Sequence, residues 1–397
     1  MMQPIPIVAA TGTSCLGTGR AALAGALASG RSGLALAGEL NGVPVPGWAG
    51  RVAGLDTVAL PEALQAFDCR NNRLAWLALQ QDGFLQAVER LQAEYGAARI
   101  AIFLGTSTSG IAATESAYRA TAEDNFAALP DWYSYRHTHN VHATTDFVAR
   151  ALGIAGPAQT ISTACSSSAK VFAAASRALN AGICDAAIVG GVDTLCLTTL
   201  KGFDALQLVS PGPCRPADLH RQGISIGEAA GFAVLDPRAK QARHALQGYG
   251  ESSDAHHMST PDPQGLGAQL AMQAALTRAT LNATDIDYIN LHGTGTAAND
   301  LAEDCAVFQC FGDQLPCSSS KGWTGHCLGA AGIMEVLVLM SCLEQGLLPQ
   351  SLGTETLDPA LRSRVLMAPE SRALRYAMSN SFGFGGTNCS LLLGALQ

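Results

Sequence analysis

Short runs of consecutive apolar residues alternate along this chain with longer stretches in which apolar residues return every three or four positions, the pattern of strands and helices taking turns. Residues 5–10, 100–104, 186–189, 231–235 and 390–393 are runs of the first kind, and 186–189 reads as a strand buried on both faces. Residues 20–29, 72–95 and 329–345 carry the helical period. The chain is organised around residues 159–191, QTISTACSSSAKVFAAASRALNAGICDAAIVGG. This stretch opens with a short strand over 159–163, rich in β-branched residues. Small residues and Cys165 then break the period, and a helix runs from Ser166 to a natural C-terminal cap at Gly182. Lys170, Arg177 and Asn180 fall on one side of this Ala-rich helix, so most of the rest of its surface is expected to be buried. Residues 30–58 and 201–227 read as loops on their prolines, and the aromatic, His-containing residues 124–143 as an excursion or interface element.

The second part of the chain echoes the first. FLGTSTSGIAATE at 103–115 resembles LHGTGTAANDLAE at 291–303, and CSSSAK at Cys165 resembles CSSSKG at Cys317. With matching strand and helix order, this predicts an α/β protein of two related halves, 1–245 and 246–397; chance likeness between Gly/Ser/Thr loops is the alternative. Composition narrows the class. A net charge of -8 argues against a nucleic-acid partner, because the global field opposes one. The 12 cysteines are scattered without a CxxC pair, and no secretory n-region opens the chain, which points to reduced thiols in the cytoplasm. The most apolar stretch, 333–343, is interrupted by Glu335 and too short to span a bilayer, so no membrane segment is expected.

Cys165 is the candidate nucleophile: at a helix N-terminus, unpaired backbone N–H groups and the macrodipole can lower a thiol pKa. Its structural alternative is a small buried hydrophobe. Two histidines arrive at strand ends or helix starts, His292 in YINLHGTGT and His326 in SSSKGWTGH, and a Gly-rich turn, SNSFGFGGTN, precedes the closing strand. Taken singly, each histidine is as readily structural as catalytic. His256 and His257 are adjacent, and His137, His139 and His142 have no Cys or carboxylate at ligand spacing, so no metal site is expected. GISIG at 223–227 matches a serine nucleophile elbow and SSSK at 318–321 matches SxxK. The first lacks the strand before and helix after it, and the second lacks its companion motifs, so both are set aside.

TACSSS, HGTGTAAND, SKGWTGHCLGAAG and NSFGFGGTN, in this order, resemble the signature blocks of the β-ketoacyl-acyl-carrier-protein synthases, the elongating condensing enzymes of the thiolase-fold superfamily. The resemblance extends over essentially the whole chain. It implies a five-layered α-β-α-β-α fold and decarboxylative condensation of an acyl chain, carried on Cys165, with a malonyl thioester on acyl carrier protein, in fatty-acid or polyketide and aryl-polyene-type synthesis. It further implies a Cys165-His292-His326 triad, with Lys321 and Glu335 orienting and tuning the site. The backbone N–H groups of Cys165 and Phe384 would form the oxyanion hole. Phe384 would also gate the acyl tunnel, and Thr294 and Thr296 would bind the pantetheine arm. Arg70 and Arg73 are the leading candidates for carrier docking, with Arg215 and Arg221 behind them. No cofactor is implied. A dimer is implied through the strand before Cys165, either a homodimer or a heterodimer with a related subunit. The alternative function is that of a silent partner subunit in such a heterodimer. Polar Thr106 to Ser109 depart from the apolar residues that often line the family's acyl pocket.

Overall fold

Strand alternation sends the apolar residues of the two sheet halves to a shared central core and to one outer core each. The computed structural model describes residues 2–121 and 128–396. Its principal strands are β1 (Ile5–Ser14), β2 (Ile100–Gly105), β3 (Ala158–Ile161), β4 (Ala186–Asp193), β5 (Ala229–Leu235), β6 (His244–Ser253), β7 (Tyr288–Asn290), β8 (Pro316–Ser318), β9 (Arg364–Val365), β10 (Tyr376–Gly383) and β11 (Thr387–Ala395). The helices are α1 (Gly19–Ser29), α2 (Arg70–Leu79), α3 (Phe84–Tyr95), α4 (Ile111–Ala120), α5 (Ala143–Ala151), α6 (Ser167–Asn180), α7 (Leu197–Ala205), α8 (Leu266–Ala279), α9 (Ala297–Phe311), α10 (Lys321–Thr324) and α11 (Ala331–Gln345). The strands lie side by side in the order β9-β8-β7-β10-β11-β6-β1-β5-β4-β2-β3.

That order contains a repeat. Numbered within its own half, β1 to β5 lie in the order 3-2-4-5-1, and β6, β7, β8, β10 and β11 lie in the same order. The directions repeat as well: strands 3, 2 and 4 of each set are parallel, and strands 5 and 1 are antiparallel to their neighbours. The echoed segments 103–115 and 291–303 both run out from the end of strand 2 of their set, whereas Cys165 stands four residues past strand 3 and Cys317 lies within it. The sets meet where Ile5 to Ile7 of β1 pair antiparallel with Leu246 to His244 of β6, so residue 245 lies within a strand that opens at His244.

Period-2 alternation sends neighbouring residues to opposite faces. On β2, Ile100, Ile102 and Leu104 join a core with Leu74, Phe84 and Phe147 of α2, α3 and α5. Ala101 and Phe103 turn the other way, into a core with Phe172 of α6 and Leu337 of α11. On β11, Leu391 and Leu393 face that same central core, whereas Leu392 faces Met272 and Val307 of α8 and α9. The layers are therefore helices, sheet, central helices, sheet, helices, the thiolase-like architecture.

The structure corrects the pattern in three places. The helix expected over 72–95 is two, broken at Asp82 and Gly83, both of which have positive φ. The Asp82 carboxylate accepts the Arg20 N–H at the start of α1, which pins the break. The expected loop over 201–227 begins inside α7, whose first N–H groups, on Leu197 and Thr198, are capped by the distant Glu115 carboxylate. The apolar stretch in the last third is longer than 333–343: Leu328–Gln345 has the length and composition of a membrane span, but 83% of it is buried in the central layer. Residues 124–127 of the expected excursion lie outside the described residues, and 128–142 form turns.

Candidate active site

Cys165 stands on the turn between β3 and α6, and the residue before it is strained. Ala164 has φ +52, a left-handed conformation that costs an L residue roughly 1–2 kcal/mol. The serines that follow stitch this turn together. Ser167 Oγ donates to Ala164 O at 2.6 Å and accepts the Thr163 N–H, and Ser166 Oγ donates to Thr163 O. Ser168 Oγ accepts the Ile333 N–H, an orphan donor in the first turn of α11, so it joins the two central helices.

The chain brings His292 and His326 to Cys165: one ligand-capable atom of each of the three lies within 4.8 Å of the others, and all three residues are buried. The imidazole planes meet edge to face at a centroid distance of 5.3 Å. His292 leaves the end of β7, and its backbone N–H donates to Glu303 Oε1 at 2.8 Å while the Gly293 N–H donates to Oε2 at 2.7 Å. His326 is clamped by the GISIG segment, 223–227. Its N–H donates to Ser225 O at 2.7 Å, and its carbonyl accepts the Gly227 N–H at 3.0 Å.

Hydrogen bonding selects the tautomer of both rings. Lys321 Nζ lies 3.3 Å from His292 Nδ1 and also donates to His292 O. The Leu328 N–H donates to His326 Nδ1 at 3.2 Å. Each Nδ1 is therefore an acceptor, and each Nε2 carries the proton. His326 Nε2 is buried with no hydrogen-bond partner. Burial, reinforced by the Lys321 ammonium, holds both imidazoles well below the usual histidine range, so they are neutral donors. This tautomer does not fit a metal ion, because the nitrogens facing the thiol offer N–H groups rather than lone pairs.

Lys321 is itself paired, 2.7 Å from Glu335 Oε1 on α11, and Ser381 Oγ donates to Oε2 of the same carboxylate. The thiol does not follow the sequence expectation. Burial pushes Cys165 up to about 11, opposed by the Lys321 ammonium and by the backbone N–H groups of Phe384 and of Cys165 itself. These two N–H groups are the expected oxyanion donors, and both approach the sulfur.

Two cavities share Cys165, Phe203 and Phe384 in their walls. The first, about 320 Å³, also reaches His292, His326, Thr294 and Thr296, and the second, about 270 Å³, reaches Ser107, Thr199, Leu206 and Leu328. The Phe203 and Phe384 rings lie 5.6 Å apart at the neck between them. Of the polar residues after β2, Ser107 lines the second cavity, and the hydroxyls of Thr106, Ser107 and Thr108 all donate to the buried Asp193.

The structure does not place Arg70 and Arg73 on a free basic face. Arg70 is 2.5 Å from the fully buried Glu228 and 2.6 Å from Asp56, and Arg73 is paired with Asp68 at 2.6 Å. Arg221 is buried between Asp300 and Asp358. Arg215, more exposed, is 3.4 Å from Glu355. Sequence reasoning missed Asp193 and the Ser225 clamp, whose partners are distant in the chain, and Glu303, which lies only ten and eleven residues after the two N–H groups it accepts and could have been found within its own segment.

The chain matches "Beta-ketoacyl synthase, N-terminal domain" over residues 2–241 and "Beta-ketoacyl synthase, C-terminal domain" over 244–355. It is 30% identical to 3-oxoacyl-[acyl-carrier-protein] synthase 2 of Vibrio cholerae, covering 92% of this chain and 93% of that one. It is 35% identical over 309 residues to Nodulation protein E of Rhizobium meliloti, covering 75% and 76%. A chain in the complex of the ketosynthase ApeO with its chain length factor ApeC, from Xenorhabdus doucetiae, superposes with a TM-score of 0.90 at 37% identity, covering 99% and 98%. With the layered fold, the repeated halves and the thiol beside two imidazole donors, these matches establish that the chain belongs to the beta-ketoacyl synthase family of carbon–carbon bond-forming condensing enzymes.

Proposed function

We propose that this chain catalyses decarboxylative condensation of an acyl group with a malonyl thioester, both delivered on acyl carrier protein. The observation that carries the reading is the convergence of Cys165 with two neutral Nε2–H donors at the neck between two cavities. The Cys165 sulfur attacks the acyl thioester carbonyl, its proton passes to the departing pantetheine thiol, and the oxyanion is held by the Cys165 and Phe384 N–H groups. The acyl chain occupies the second cavity. A malonyl thioester then enters the first, with Thr294 and Thr296 along its pantetheine arm. Its C–C bond breaks to release carbon dioxide, and the electron pair becomes an enolate whose oxygen accepts from His292 and His326. The enolate carbon attacks the acyl carbonyl, the C–S bond to Cys165 breaks, and the thiolate takes up a proton. Lys321 and Glu335 set the ring orientation and charge. The chemistry calls for no metal or cofactor.

In this reading the protein works in the cytoplasm as a dimer, with the exposed edge of β3 as the pairing strand. The matched ketosynthase complex, which contains a chain length factor, supports a heterodimer in which this chain contributes the nucleophile. Incubation of the purified chain with a panel of acyl-carrier thioesters, followed by intact mass and peptide mapping, should show one acyl adduct on Cys165 that is absent in Cys165→Ala. An adduct elsewhere would refute the assignment of the nucleophile. If the adduct forms only after a related subunit is added, the heterodimer is the working unit; if that subunit's own cysteine carries the acyl group, this chain is the silent partner.

A further inference from the structure

Asp193 ends β4 with its side chain fully buried, at the point where the two halves of the molecule meet behind the site. Its Oδ1 accepts from Thr106 Oγ1 at 2.7 Å, from the Ser107 N–H at 2.9 Å, and from the Thr108 N–H and Oγ1 at 2.8 and 2.7 Å. Its Oδ2 accepts from Ser107 Oγ at 2.8 Å and from the Gly329 N–H at 2.6 Å. Every lone pair of the carboxylate is engaged, and every partner is a donor. Ser107 closes the ring by accepting the same Gly329 N–H at 3.2 Å.

Two of these contacts lead to the chemistry. Gly329 follows Leu328, whose N–H holds His326 Nδ1 and whose left-handed backbone, φ +53, has to be maintained by its surroundings. Leu328 and Ser107 both line the second cavity. The fit around the carboxylate is close: a Cβ at Gly329 would stand 2.6 Å from Asp193 Oδ2 and 2.9 Å from the Ser107 N. A single buried anion thus holds the turn after His326 against the cavity wall after β2.

We propose that Asp193 is a positioning residue that fixes the His326 ring through the 328–329 turn. The inference rests on the reading that His326 donates to the enolate and adds the group that aims it. Asp193 touches no reacting atom, so its influence falls on decarboxylation, where an Nε2–H must point at a developing charge, and spares acyl transfer to Cys165, which uses backbone donors.

Asp193→Asn is the sharp substitution, because an amide NH2 in this ring of donors faces at least one of them. The expected result is Cys165 acylation close to wild type and malonyl decarboxylation by the acyl-enzyme lowered about ten- to a hundredfold, the scale of a misaimed catalytic group. Thr108→Val removes one hydroxyl from the ring, keeps the carboxylate and lies outside both cavity walls, and it should show the same split at smaller size; it decides the matter if Asp193→Asn does not fold. Equal loss of both steps, or no loss in either folded variant, overturns the proposal. Wild-type protein that fails to acylate at Cys165 instead overturns the underlying reading.

Discussion

Lys321 Nζ and Glu335 Oε1 stand 2.7 Å apart where each side chain is only 2% exposed, and the same ammonium group reaches His292. One cation therefore neutralises a carboxylate in the central layer, selects the His292 tautomer and draws the Cys165 thiol downward against the effect of burial. Lys321→Met leaves the buried Glu335 carboxyl without its compensating cation, and unfolding titrations should register a loss of about 3–5 kcal/mol. Lys321→Met with Glu335→Gln should recover much of that stability without restoring decarboxylation. A single Lys321→Met variant as stable as wild type would show that the pair is not held as described.

The free thiol should be slow at neutral pH. With Cys165 pushed up to about 11, thiolate is scarce near pH 7 and grows with each unit of pH. Inactivation by iodoacetamide should accelerate about tenfold per unit between pH 7 and 9. A plateau beginning near pH 7 would mean that the sulfur is already ionised in the resting protein.

Depressed imidazole pKa values have their own signature. At pH values from 8 down through 6.5, His292 and His326 stay neutral, because their protonation falls well below the ordinary histidine range. Decarboxylation by the acyl-enzyme should lack an acid limb near pH 6.5, and nitrogen NMR should report Nε2–H on both rings throughout. A limb near 6.5 that tracks the titration of either ring contradicts the hydrogen-bond assignment.

Arg70→Ala separates structure from docking. Because Arg70 compensates the buried Glu228, whose carboxylate also accepts the Val52 and Leu195 N–H groups, its loss should cost about 3 kcal/mol of stability. KM for a carrier-borne substrate should stay within about twofold, since no interaction made with the substrate is removed. Unchanged stability with a large rise in KM would return this arginine to the carrier face.

What could be read from residues alone was whatever depends on neighbours in the chain. The switch from β-branched to helical period around Cys165 located β3 and α6 to within a residue or two, and the helix expected from 329 begins at Ala331. What escaped notice depends on partners far away. Asp82 and Gly83 sit inside a continuous helical pattern, and the reason for the break is the cap that Asp82 provides to α1. Glu115 starts α7 from across the molecule. The pKa of Cys165 was misjudged in the same way: a helix N-terminus is visible in sequence, whereas the degree of burial that overrides it is not.

The pairing of β1 with β6 has a consequence for how the chain acquires its shape. Ile5 finds its partner in Leu246, so β1 cannot satisfy both of its edges until the chain has been released as far as β6, about 240 residues later. Contacts this remote in sequence raise the contact order and slow the search for the native state. Until then the free edge of β1 is a template for intermolecular association. A truncated chain ending before His244 is therefore expected to aggregate rather than persist as an independent half, and supplying the missing segment in trans should suppress that aggregation.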